Sequence, residues 1–196
     1  MAASIPAIII AAGHSKRLGR HKAFVEIAGK TLLQHSISKL QSLNCKPIIV
    51  VTNQDCFFQA TIESNGAKVS LNKKPDDGRT GTIQIGLSSV IDEIGRMPRK
   101  ILLAPVDRPG WGIESITKLL ESDISSCLSS DGHNGHPVTL VGEDLHKILL
   151  VDKATPLRDI ISFQKVQVDE PLLGLNIDTE EDLNILNSNS KFFETD

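Results

Sequence analysis

Residues 7–22 constrain this chain more than any other segment. An apolar run, Ala-Ile-Ile-Ile-Ala-Ala, opens into a loop that carries two glycines and four cations, Lys16, Arg17, Arg20 and Lys22. Three consecutive β-branched residues, following closely on Pro6, predict a buried strand over Ala7–Ala11. Gly13 and Gly19 let the loop bend and approach a ligand closely. In open α/β sheets ligands sit beyond the carboxyl ends of the strands. Cations at that end therefore predict a polyanionic ligand, most simply a nucleoside triphosphate.

A length of 196 residues matches one domain with a full core. We expect residues 1–187 to form that domain and 188–196 to be a polar, frayed tail. No apolar run is long enough to span a bilayer, and the opening Met-Ala-Ala-Ser has no basic leader, so neither a membrane nor a targeting segment is expected. A net charge of −3 argues against a nucleic-acid partner. The positive charge of the first loop is local and suits a small anion. Cys45, Cys56 and Cys127 are widely spaced, which argues against a disulfide framework or a metal staple and for a reducing cytoplasm. Each is expected to act as a small apolar filler. No feature of the sequence specifies an oligomeric state.

Apolar periodicity then alternates between strand and helix. Strands are expected at 47–52, 67–71, 100–106, 124–130, 137–141, 165–168 and 172–177, with a loop over 131–136. Helices are expected at 31–43, 54–64, 80–91, 113–120, 145–150, 156–161 and 179–186, the last capped by Asp178 or Thr179. Asn65-Gly66 closes the second of these helices. The alternation predicts a three-layer α/β fold, with a mostly parallel Rossmann-like sheet and an antiparallel edge formed by the late strands.

Three motifs carry the chemistry. The first loop is neither a Walker A sequence nor Gly-x-Gly-x-x-Gly. It reads Ala-Ala-Gly-x-Ser-x-Arg-x-Gly-x-x-Lys from 11 to 22. The second motif, Leu-Leu-Ala-Pro-Val-Asp-Arg-Pro at 102–109, puts Asp107 at the carboxyl end of a buried strand. There it is a natural Mg²⁺ ligand, because that ion takes a few carboxylate oxygens along with phosphate oxygens and water; a turn or helix-cap role is the alternative. The third, Gly-Leu-Asn-Ile-Asp-Thr-Glu-Glu-Asp-Leu at 174–183, alternates Asn176 and Asp178, which an extended strand would project to one face. Together with Asp107 they would complete a metal site. Capping of the next helix is the competing role for Asp178.

These motifs, with Gly135-His136-Pro137 between the second and third, resemble the MobA-like nucleotidyltransferases over almost the whole chain. The likeness is strongest to the molybdenum cofactor cytidylyltransferase branch. It implies a nucleotide-diphospho-sugar transferase type of sheet, and a cytoplasmic Mg²⁺-dependent enzyme that joins a nucleotide to a phosphorylated acceptor such as molybdopterin. Ala-Ala-Gly in place of Ala-Gly-Gly favours CTP. The resemblance further implies that Ala11, Ala12, Gly13 and Ser15 meet the nucleotide, and that Arg17 and Lys22 hold its phosphates. Gly78, Thr82 and Gly86 would stand near the base. Asp107, with Asn176 or Asp178, would bind Mg²⁺, and His136 would lie near the acceptor.

The implied chemistry is attack of an acceptor phosphate oxygen on the α-phosphorus, where positioning and charge neutralisation dominate and no nucleophilic side chain is needed. Two features depart from the family. Arg108 follows the metal aspartate where an uncharged residue is usual, and would meet an acceptor phosphate or oppose a cation; Arg79 would also reach phosphate. Residues 22–30 resemble sugar-phosphate nucleotidyltransferases, so a sugar or polyol phosphate is the alternative acceptor. A nucleotide-binding or chaperone-like module without turnover is the alternative of another class, and Arg108 is the feature that favours it. Trp111 would line the acceptor pocket or serve in packing.

Overall fold

The computed structural model describes residues 4–194; positions 1–3, read above for a leader, lie outside the described residues, as do 195–196. In chain order the strands are β1 (Ala7–Ala11), β2 (Glu26–Ile27), β3 (Lys30–Thr31), β4 (Ile48–Thr52), β5 (Lys68–Leu71), β6 (Lys100–Pro105), β7 (Ser126–Ser130), β8 (His133–Val141) and β9 (Gln164–Gln167). The helices are α1 (Leu32–Ser42), α2 (Gln54–Glu63), α3 (Arg79–Ile94), α4 (Ile113–Glu121), α5 (Glu143–Leu150), α6 (Leu157–Ile160), α7 (Glu180–Ser188) and α8 (Lys191–Glu194). Seven strands form one sheet in the order β5-β4-β1-β6-β8-β7-β9, and β2 pairs with β3 in a small hairpin beside it.

The strand core follows from the apolar runs. Ile9, Val50, Leu102 and Ala104 face one apolar layer, where α1, α4, α7 and α8 pack. Their sequence neighbours Ile8, Ile49, Val51, Ile101 and Leu103 face the other, covered by α3 and α5. A strand buried on both faces has no polar face to alternate with, so it reads as a continuous apolar run. β1 pairs in parallel with β4 on one side and with β6 on the other. The chain leaves β1 towards β4 and β5, then crosses back to β6. That reversal makes the carboxyl ends of β1 and β6 the switch point where a crevice opens. β8 runs antiparallel to both β6 and β7, so the late strands do bring antiparallel pairing, but inside the sheet: the edge strand β9 pairs in parallel with β7.

Three expectations change. The loop drawn over 131–136 shrinks to Asp131-Gly132, both at positive φ, and β8 begins at His133. Asp-Gly with positive φ at both positions is the favoured two-residue hairpin turn. Residues 172–177 are not a strand. Leu173 N–H donates to the Glu170 carbonyl and Leu175 N–H to that of Leu172, so the segment turns back on itself instead of joining the sheet. Residues 188–194, expected to fray, are instead ordered: α7 runs to Ser188, and α8 inserts Phe193 into the core. There Phe192 and Phe193 close over the ammonium of Lys39, with ring centroids 4.8 and 5.4 Å away. Lys39 is only 2% exposed and donates to the Trp111 carbonyl at 2.8 Å. Trp111 is likewise buried, and its role is packing.

Candidate active site

The loop after β1 is held in shape by its own polar groups. Ser15, at positive φ, accepts from Leu18 and Gly19 N–H through its carbonyl. Its Oγ accepts from the Lys22 backbone N–H at 3.1 Å. Ser15 thus fixes where Lys22 leaves the loop. From the next strand, Asn53 Nδ2 donates to the carbonyls of Ala12 and Gly13 at 3.2 and 3.4 Å, while its Oδ1 accepts from Cys56 N–H and caps α2. One buried side chain ties the glycine turn to the start of a helix. Sequence reasoning passed over Asn53, because its meaning depends on β4 lying next to β1.

Lys22 reaches across to the other two motifs. Its Nζ lies 3.2 Å from Asp107 Oδ2 and also donates to Asp178 Oδ1. Arg17 meets the second oxygen of Asp178 at 2.9 Å. Partial burial alone would raise the Asp178 pKa, but Lys22, Arg17 and Asn176 together outweigh it and hold the carboxyl below its usual range. Asp178 is delivered by backbone contacts. Ile177 N–H donates to the Asp107 carbonyl at 2.9 Å, which couples the two carboxylate segments directly. Gly110 makes that approach possible, since a Cβ there would stand 1.9 Å from the Leu172 carbonyl oxygen. Thr179, not Asp178, caps α7, in a capping box with Asp182. Asp178 is thereby left to the site.

Asn176 turns its amide NH₂ towards Asp178 Oδ2, so it orients the carboxylate. Among the described residues no group of three His, Cys, Asp or Glu side chains is arranged around a metal. Asp107 and Asp178 nevertheless direct oxygens at one common point, the Lys22 ammonium. Two hard carboxylates suit Mg²⁺, which takes its remaining ligands from phosphate and water, but both pair with Lys22 in this structure, so a metal held between them would displace that ammonium.

A cleft of about 200 Å³ opens at this switch point. Ala11, Ala12, Gly13 and Ser15 line it together with Lys22, Thr82, Arg79 and Asp107. His14 Nε2 stands 3.3 Å from Asp76 Oδ1 near the same cleft. Thr82 accepts from Asn72 Nδ2 at 3.0 Å. Gly78, at φ 120°, precedes α3, and a Cβ there would fall 2.5 Å from the Lys153 carbonyl oxygen, so it serves the packing of that turn. Gly86 lies away from the cleft: a Cβ there would fall 2.6 Å from Ile8 Cγ2, so it brings α3 close to the sheet and does not reach a base.

A second cavity of about 670 Å³ adjoins the first, and Arg79 lines both. Arg108 and His136 line only the second. Burial, with Arg79 and Arg108 adding to it, pushes the His136 pKa down to about 4 against the opposing pull of Asp107. Its Nδ1 is sealed from solvent and has no hydrogen-bond partner among the described residues.

Residues 7–168 match the model of the MobA-like NTP transferase domain. Across 184 residues the chain is 26% identical to the molybdenum cofactor guanylyltransferase of Rhizobium rhizogenes, covering 87% of this chain and 81% of that protein. Over 89 residues it is 35% identical to the bifunctional IPC transferase and DIPP synthase of Thermococcus kodakarensis, covering 43% of this chain but only 21% of that protein, about a fifth of its length. In fold it matches Rv0371c from Mycobacterium tuberculosis H37Rv, with a TM-score of 0.81 at 16% identity, covering 96% of this chain and all of that one. No helix among the described residues is long and apolar enough to cross a membrane.

Proposed function

Because this chain belongs to the MobA-like NTP transferase family, we propose that it transfers a nucleoside monophosphate, CMP from CTP, to a phosphorylated acceptor such as molybdopterin and releases pyrophosphate. The observation that carries this reading is the meeting of Lys22 with Asp107 and Asp178 at the mouth of a cleft walled by the glycine loop. Ala11, Ala12, Gly13 and Ser15 receive base and ribose, with Thr82 on the facing wall. Lys22 and Arg17 take the triphosphate and balance the charge that builds on the departing pyrophosphate. Asp107 and Asp178 would hold Mg²⁺, which would supply further neutralisation of the phosphate oxygens.

The acceptor enters through the second cavity, and Arg79 stands where the two spaces join. Its phosphate oxygen forms a bond to the α-phosphorus while the bond from that phosphorus to the β-phosphate oxygen breaks in line. His136, neutral at working pH, lines the acceptor cavity without adding charge to it. Three buried, free thiols agree with a reducing cytoplasm as the place of action.

The base assignment rests on Ala12, whose methyl stands where the guanylyl branch has glycine. The full-length similarity to a guanylyltransferase makes GTP the second reading. Pyrophosphate release from each of the four nucleoside triphosphates with Mg²⁺, with molybdopterin or with sugar phosphates, separates these cases. Release with CTP and molybdopterin is expected. Preference for GTP overturns the base, preference for a sugar phosphate overturns the acceptor, and release with no pair overturns the reaction.

A further inference from the structure

We infer that the acceptor carries a second anionic group, separate from the phosphate that attacks, and that Arg108 and Arg158 recognise it. This rests on the reading of the second cavity as the acceptor site. Three guanidinium groups line that cavity, Arg79 from α3, Arg108 from the turn after β6 and Arg158 from α6, and no carboxylate lines it. Arg79 also lines the nucleotide cleft, so it belongs to the reacting phosphate at the junction. Arg108 and Arg158 line the second cavity but not the first, and are left over once Arg79 serves the reacting phosphate.

The neighbouring groups do not cancel this charge. Arg158 has only a loose contact with Asp159, at 3.7 Å, and is 86% exposed, so it is free to close on a ligand. Burial, with Arg79 and Arg108 adding to it, holds His136 neutral, and Asp107, which pulls the other way, lines the other cleft and pairs with Lys22. A guanidinium prefers planar two-oxygen partners such as carboxylate or phosphate. Val138, Leu157 and Phe163 give the cavity apolar lining, while Thr80, Asn134 and Thr155 add neutral polar residues. The cavity therefore suits an acceptor with a phosphate at one end and a second anionic group at the other.

The test uses the full chain loaded with a non-hydrolysable CTP analogue and two probes, glycerol 3-phosphate and 3-phosphoglycerate, which differ by a hydroxymethyl against a carboxylate. Calorimetric titration should give about tenfold tighter binding of 3-phosphoglycerate, the scale of one charge-assisted contact. Arg108→Gln should abolish that advantage and Arg158→Gln reduce it, with glycerol 3-phosphate binding changed less. Equal affinity of the wild-type protein for both probes overturns the second anionic group while leaving the acceptor site in place. An advantage that survives both substitutions overturns the assignment to these arginines. Failure of both probes to perturb the His136 ring resonances, with the analogue still bound, overturns the acceptor site itself.

Discussion

Lys22 Nζ lies 3.2 Å from Asp107 Oδ2, across 85 positions of chain, and the same ammonium reaches Asp178. One cation thus joins three motifs that the sequence scatters. If it balances charge as phosphate transfer proceeds, Lys22→Met should lower kcat by at least about 100-fold, the usual cost of losing one preorganised charge-stabilising contact. Asp107→Ala should abolish metal-dependent turnover while far-UV circular dichroism stays native. Steady-state pyrophosphate release measures both, and an active Asp107→Ala enzyme removes that carboxylate from the mechanism.

Asn53 offers a test of loop positioning apart from phosphate contact. Its amide holds the Ala12 and Gly13 carbonyls, and its carbonyl oxygen caps α2. Asn53→Ala should cost about 1 kcal/mol of stability through the lost cap. It should also raise the nucleotide KM severalfold, because the glycine turn loses its tether. Denaturant melts and KM together report the two effects; an unchanged KM dissociates Asn53 from the nucleotide.

Gly110 controls how closely the 170–178 segment approaches. Alanine there would place a methyl 1.9 Å from the Leu172 carbonyl, and backbone must move to relieve it. The Ile177–Asp107 hydrogen bond should break and Asp178 should leave Lys22. Gly110→Ala is therefore expected to lose transfer activity far more than secondary structure. Wild-type turnover in this variant would show that Asp178 need not stay at the site.

His136 gives a stability signal with a definite sign. Its folded pKa is about 4, whereas an unfolded chain titrates near 6.5. Between those values the unfolded state binds a proton that the folded state refuses, so stability falls as pH drops through that window. The contribution is complete above the unfolded value and amounts to roughly 1–3 kcal/mol, allowing for the ring's partial exposure. Thermal melts from neutral to acidic pH should show a shallower decline for His136→Gln; parallel curves would remove the histidine from the pH response.

Phe193→Ala tests the closing helix. Losing a buried phenylalanine in the core should cost about 3–5 kcal/mol, with the ring over Lys39 lost as well. The melting temperature should fall, and activity should track the folded fraction.

Much of this architecture is legible in the sequence where burial speaks for itself. β1, β4 and β6 are apolar on both faces, and the parallel sheet follows from their alternation with helices. Asp107 is readable because a strand end and a carboxylate are adjacent in the chain. The 172–177 segment misleads because its leucines pack under the site while its backbone is turned by local hydrogen bonds, a distinction that hydropathy cannot make. The Asp131-Gly132 turn carried its signal in the dipeptide itself. Phe192 and Phe193 marked the tail as more than polar. Asn53 and the cavity shared by Arg79, Arg108 and Arg158 have no local signature, since each gains its meaning only from neighbours brought in by the fold.

A residue that borders both chambers also borders both halves of whatever is made there. If nucleotide and acceptor occupy the two chambers as proposed, their product is a single molecule lying across both, with Arg79 beside its middle. Its departure would then empty both chambers in one event.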